Sequence, residues 1–236
     1  MSRIAVADAS ACDRRRLIWG VHALLGPLVR ASCDWAHIGL TVLAGWVVVA
    51  PERACAEWRV PVVFHVASKG GEAVTSDAFV AKQLSEANAA FRALALRFVD
   101  AGRRVLGEQH AALKSRGDRD ALGRFVRPGV INCMVVGSLM DVDEPGRERR
   151  GVHWRVRGNR ARHFVVLSAA AGSYVLAHEL GHFLGNQRHS PKPGNLMSYQ
   201  GRPGVPTLDL SQIRRVRRTF RALRASGELR VARASP

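Results

Sequence analysis

From residue 57 onward the chain alternates between short apolar runs and longer stretches with apolar residues at helical spacing. Arg59–Ala67 (Arg-Val-Pro-Val-Val-Phe-His-Val-Ala) predicts a strand with Pro61 near its start, where a missing N–H costs least. Thr75-Ser76-Asp77 predicts the cap of a helix carrying Phe79, Val80, Leu84, Ala87, Phe91 and Leu94 along one stripe. Leu96–Val105 predicts a strand, and Val130–Val136 a buried one. The intervening Gly107–Gly123 is polar and charged. Asp141–Arg150 reads as a charged loop, Gly151–Arg157 as an edge strand and His163–Ser168 as a further strand. Ala169–Ser173 leads into an apolar helix around Tyr174–Leu184. Gly201–Pro206 is a loop, and Asp209 opens a last helix with Ile213, Val216, Phe220 and Leu223 on one stripe.

Residues 1–56 differ. Ile38–Ala50 is apolar and free of charge, but shorter than the roughly 20 residues of a comfortable membrane span. It fits the hydrophobic region of a signal peptide. Ala54-Cys55-Ala56 has the small-x-small form of a cleavage site, placing the cut after Ala56. About 35 residues precede the run, which a wrongly chosen start codon would explain; the alternative is a structural N-terminal extension. The expected division is therefore 1–56, a leader bound for export, and 57–236, one domain. No stable membrane span is expected after processing.

The 236 residues carry a net charge of +17, and all of the basic residues except Lys69, Lys82, Lys114 and Lys192 are arginine. That bias is the kind a GC-rich genome produces, which weakens an inference to nucleic acid. Basic clusters lie at Arg147–Arg162 and Arg214–Arg224. They suit either an anionic partner, such as nucleic acid, lipid or an acidic substrate, or a solvated arginine-rich face. No nucleic-acid motif with interleaved aromatics accompanies the charge, so the second reading is preferred and nucleic acid is not the expected partner. Of the cysteines at 12, 33, 55 and 133, only Cys133 lies in the domain, within an apolar run, so an inert buried thiol is expected and not a disulfide.

The decisive segment is His178-Glu-Leu-Gly-His182-Phe-Leu-Gly185-Asn-Gln-Arg-His189, followed by Asn195-Leu-Met197-Ser-Tyr199. Residues four apart on a helix lie about 40° apart around its axis, so His178 and His182 face one way. Two neutral imidazoles on one face suit Zn²⁺. Glu179, beside the first histidine, is placed to take a proton from a metal-activated water and not to ligate. The alternative, a solvated helix that merely carries these residues, fits poorly with the apolar Tyr174, Val175, Leu176, Phe183 and Leu184. Gly185 suits a helix end at positive φ, and His189 follows within reach as a third ligand, the number typical of catalytic zinc. The other histidines in the chain match no ligand spacing. His65 and His163 read as core residues or as partners behind the ligands. His153 sits on the expected edge strand, either lining the cleft or on an ordinary sheet edge.

From about Glu57 to Leu229 the chain resembles the metzincin zinc peptidases. Within that clan, Val60-Pro-Val-Val-Phe-His65, Gln83-Leu-Ser-Glu-Ala-Asn88-Ala-Ala-Phe91, the zinc motif and Asn195–Tyr199 look most like the pappalysin-type branch and related bacterial proteins. The resemblance implies an α+β zincin. It would have a twisted mixed sheet, a long backing helix, an active-site helix and a small C-terminal helical part. His178 and His182 match the first two zinc ligands, Glu179 the general base, Gly185 the turning glycine and Met197 the methionine of a turn beneath the metal. Tyr199 matches a tyrosine that binds zinc or steadies the oxyanion in some members, though it could equally be a packed turn residue. The clan pattern puts the third ligand at position 188, where this chain has arginine, which cannot ligate. His189, one residue later, is expected to replace it. The implied activity is zinc-dependent hydrolysis of peptide bonds in a peptide or protein substrate. The alternative is a weakly active or inactive zinc-containing binding module on the same scaffold. Substrate specificity and oligomeric state are not legible in the sequence.

Overall fold

The computed structural model describes residues 40–43, 46–49 and 57–234, with the backbone alone at 40–43, 46–49 and 160–161. The chain divides into two compact units, Met1–Arg53 and Ala54–Pro236. In the first, β1 (Leu40–Leu43) pairs antiparallel with β2 (Trp46–Val49). The cleavage motif Ala54-Cys55-Ala56 and the cysteines at 12, 33 and 55 lie outside the described residues. Among those residues, no helix is long and apolar enough to cross a membrane.

The second unit is α+β, built on a mixed sheet. β3 (Trp58–Lys69) turns at Gly70 and Gly71, both at positive φ, into the short β4 (Glu72–Ala73). α1 (Asp77–Phe91) follows, with Ser76 as its N-cap accepting from the Phe79 N–H at 3.3 Å. A 3₁₀ turn, Arg92–Leu94, and Ala95 at positive φ then lead to β5 (Leu96–Leu106), parallel to β3. The helix therefore stops three residues short of Leu94, which the periodicity had included. β6 (Ala112–Leu113), α2 (Arg116–Ala121), β7 (Ile131–Val136), β8 (Ser138–Leu139), β9 (Gly151–Val156) and β10 (Asn159–Ser168) come next. β7 lies parallel between β3 and β10, while β9 runs antiparallel to β10 and ends the sheet. α3 (Val175–Phe183) and α4 (Leu210–Ala225) complete the helices, and β11 (Ala232–Arg233) returns antiparallel to the start of β3.

β7 is buried at every position, as expected of a central parallel strand covered on both faces. Ile131, Cys133 and Val135 share one core with α1 and α3, whereas Met134 and Val136 share the other with Leu113, Leu122 and Phe164. The second core is covered by residues 107–125, of which Gly107–Gly123 read only as polar and charged. Its apolar residues, Leu113 and Leu122 among them, are spaced too widely to give a period. What fixes it locally is a reciprocal cap, in which the Ser115 hydroxyl accepts from the Asp118 N–H and the Asp118 carboxylate from the Ser115 N–H.

α1 also sets the position of α3. The residue before α3, Tyr174, has φ +61 and gives no side-chain cap. Two α1 side chains do that work instead: Gln83 Oε1 accepts from the Leu176 N–H at 2.9 Å, and Glu86 Oε2 accepts from the Tyr174 N–H at 2.8 Å. Gln83 also donates to the Gly172 carbonyl at 2.8 Å. The orphan donors of the helix start are thus satisfied from a neighbouring helix.

Candidate metal centre

α3 places His178 and His182 one turn apart, with their Nε2 atoms 3.1 Å from each other. Gly185 has φ +101, and a Cβ there would fall 2.4 Å from Thr219 Oγ1 of α4, so both the turn and the helix contact require glycine. The chain then reverses and carries His189 back until its Nε2 is 3.2 Å from that of His182. The loop thus absorbs the extra residue, and Arg188 projects into solvent. Among the described residues, His178, His182 and His189 form the group of three metal-ligating side chains, all ligand atoms within 4.8 Å of one another.

The donor set fits zinc. Zn–N distances of about 2.0–2.1 Å in tetrahedral geometry put the nitrogens about 3.3 Å apart. The tautomers agree: Nδ1 of His178 donates to the Leu196 carbonyl at 2.7 Å, and Nδ1 of His182 to the Asn186 carbonyl at 2.6 Å. Each ring's one proton is thereby committed, and two Nε2 lone pairs face each other, an arrangement that a cation stabilises. Burial holds His178, His182 and His189 below the ordinary histidine pKa, with His182 lowered to about 4 by burial and then by His178. All three are therefore neutral imidazoles near neutral pH, the form that ligates.

Met197 is fully buried beneath this helix. Its sulfur lies where a Cβ on Gly181 would come within 2.4 Å, so Gly181, between the two histidines, is what lets the turn approach. The turn is tied to α4 by an amide pair the sequence did not disclose. Asn195 Nδ2 donates to Gln212 Oε1 at 2.9 Å, and Gln212 Nε2 to Asn195 Oδ1 at 3.0 Å. Asn195 Oδ1 also accepts from the Met197 N–H at 2.9 Å. Tyr199 is exposed, its ring 4.2 Å from that of His189 and 5.8 Å from that of His178.

Glu179 is buried under the edge strand. Burial pushes its carboxyl up to about 8, against the opposing pull of the His153 backbone N–H and of Arg149. Gly151, at the start of β9, makes the fit possible, because a Cβ there would lie 2.9 Å from Glu179 Cγ and 2.7 Å from Val175 Cγ1. Nothing in the sequence singled out Gly151 or Arg149. A cavity of about 700 Å³ opens onto His178, Glu179, His182, His189 and Tyr199.

Of the other histidines, His22 and His37 lie outside the described residues. His65 is buried and bonds Asn132 Oδ1 at 3.0 Å. His163 stacks on Phe183 with centroids 4.2 Å apart and bonds Glu228. His153 lines the cleft and bonds His163 Nδ1 at 2.8 Å, and burial, then His163, lowers its pKa to about 2. Cys133 is a free thiol in the core, pushed well above its ordinary pKa by burial, hence inert.

No protein-family model matches the chain, and no curated protein matches its sequence. Solved structures do match by shape. Mature mirolysin of Tannerella forsythia, in complex with a cleaved peptide, superposes with a TM-score of 0.52 at 14% identity, covering 75% of this chain and 100% of that one. The fold is metzincin-like. Metalloproteinase-II of Bacteroides fragilis gives 0.49 at 12% identity over 70% of this chain, and the match spans 55% of that enzyme's length. Archaemetzincin of Methanopyrus kandleri gives 0.45 at 16% identity, covering 70% of this chain and 96% of that one. At these identities the likeness speaks for the zinc-peptidase fold alone.

Proposed function

We propose that this chain is a zinc-dependent endopeptidase of the pappalysin-type branch. The observation that carries the reading is convergence: three clustered imidazoles and Glu179 line one cavity, beside a sheet edge that no described residue pairs. His178, His182 and His189 would hold the metal. Zinc bound there supplies Lewis acidity, polarising the scissile carbonyl and acidifying a water.

The protein's own groups do the rest. Glu179 takes the water's proton and passes it to the leaving amine. Apart from the His153 N–H, which donates to Glu179, the outer edge of β9 would offer its backbone N–H and C=O groups to an extended peptide and align the scissile bond over the histidines. Tyr199, beside His189, would steady the developing oxyanion. Met197 would hold the histidine-bearing helix from beneath.

Cleavage profiling with a proteome-derived peptide library, run with zinc and with a chelator, tests this. Cleavage that the chelator abolishes supports the peptidase. Zinc bound without any cleavage would leave the binding module. We also read 1–56 as an export leader cut after Ala56. N-terminal sequencing of protein from its native host is expected to begin at Glu57, and an intact Met1 on cytoplasmic protein would contradict it.

A further inference from the structure

The basic cluster at Arg147–Arg162 contributes no ligand, yet the fold sets its first part along the rim of the cleft. Between Arg147 and Arg157 there are five arginines and a single acid, Glu148. Arg147, Arg149 and Arg150 line the cavity of about 700 Å³ that contains Glu179. Arg155 and Arg157, with Arg116, line a pocket of about 400 Å³ beside His182 and His153. Several acids facing these spaces already have partners: Asp141 bonds Arg149, Asp143 bonds Arg116, and Asp120 accepts from the indole N–H of Trp154 at 2.8 Å. Arg116, Arg147 and Arg149 are in turn paired with Asp143, Glu144 and Asp141, but the two spaces are lined by more arginines than acids, so a peptide added to the edge of β9 would run past a rim of net positive charge.

Arg149 stands closest to the chemistry. Its Nε donates to Asp141, whose side chain is 3% exposed and which also accepts from the Asp143 N–H at 2.9 Å; its terminal groups reach the exposed Glu144, 3.9 Å away, and the hydroxyl of the exposed Tyr199, partners that a substrate carboxylate could displace or join. One side of the guanidinium is thus anchored on a fixed, buried carboxylate. The group lines the same cavity as Glu179, His189 and Tyr199, and its charge acts on both Glu179 and His189. A planar guanidinium held by its Nε keeps terminal N–H donors in the geometry that suits a carboxylate.

We propose that the cleft selects acidic peptides, with Arg149 receiving a substrate carboxylate next to the bond that is cut. The inference rests on the peptidase reading for the meaning of "cut", but not for the binding itself. The carboxylate is either an Asp or Glu side chain or the peptide's free C-terminus.

The test uses the zinc-loaded chain and one cleaved peptide made with Glu, Gln or Lys at each position flanking the scissile bond, each with a free or amidated C-terminus. Binding of the same peptides is measured by fluorescence anisotropy on the Glu179→Ala variant, which needs no turnover. Glu is expected to exceed Gln by about tenfold in kcat/KM and in affinity, as a charge-assisted hydrogen bond in a half-open site would give. The advantage should shrink with added salt. Arg149→Gln should bring the ratio near one, and Arg149→Lys should restore part of it. If amidation weakens binding and cleavage alike for the Glu, Gln and Lys peptides, the C-terminus is the carboxylate recognised; if amidation has no effect and Glu still exceeds Gln, a side chain is. Because Arg149→Gln also leaves Asp141 without its partner, the peptide series on the unaltered chain decides independently. Cleavage and binding that depend neither on Glu over Gln and Lys nor on a free C-terminus overturn the proposal, as does a dependence that Arg149→Gln leaves intact. Tight, salt-sensitive binding of the acidic peptides without any cleavage would instead sustain it and defeat the peptidase reading.

Discussion

The residue on which the metal centre turns is His189. The positions Asn186, Gln187 and Arg188 offer poor ligands or none, and the reversal after Gly185 brings His189 Nε2 within 3.2 Å of His182 Nε2. His189→Ala is expected to lose metal and activity together, since two histidines alone hold zinc weakly. Arg188→Ala, at a solvent-facing position, is expected to keep both. Metal content after dialysis decides it: one zinc per chain retained by His189→Ala would put the third ligand elsewhere. Sequence spacing could name His189 because a histidine is visible wherever it falls. It could not name Arg149 or Gly151. Their importance lies in what stands beside them, Asp141 in one case and Glu179 in the other, and neither neighbour is at a spacing that any local period reveals.

At the scale of elements, α3 depends on α1 for its first hydrogen bonds. Gln83→Ala would leave the buried Leu176 N–H without its acceptor and remove the donor to Gly172. An unsatisfied buried donor costs about 1–3 kcal/mol. Chemical denaturation of the variant is expected to show a loss in that range, with zinc more readily removed by a competing chelator. Wild-type stability in Gln83→Ala would mean the helix start finds another acceptor. The strands and helices were legible wherever burial is periodic: β3, β7, β10, α1 and α4 all lie where apolar spacing put them. The layer formed by residues 107–125 was not, because its contribution is a few separated leucines held by caps and turns. The Asn195–Gln212 pair was likewise hidden, being a contact across 17 residues between two amides.

For the whole molecule, buried neutral histidines make stability depend on pH. His65, His110 and His153 all have pKa values below the ordinary one, with burial as the leading cause. In the folded chain they resist protonation. In the unfolded chain they take up protons below about pH 6.5. The unfolded state then binds more protons, so stability is full above that pH and falls as the pH drops from about 6.5 toward each folded-state value. Metal-free protein is expected to melt at a lower temperature at pH 5.5 than at pH 7.5. Equal melting temperatures would show that these histidines protonate without loss of the fold.

The central claim is that Glu179 is the base of a zinc peptidase and not a ligand of its metal. Zinc content and peptide turnover, measured side by side on the unaltered chain and on Glu179→Ala, test it most directly. The account expects the variant to hold one zinc per chain while turnover falls by about 10²–10⁴-fold, the usual contribution of general acid–base catalysis. Unchanged turnover in Glu179→Ala, or loss of its zinc, would contradict it.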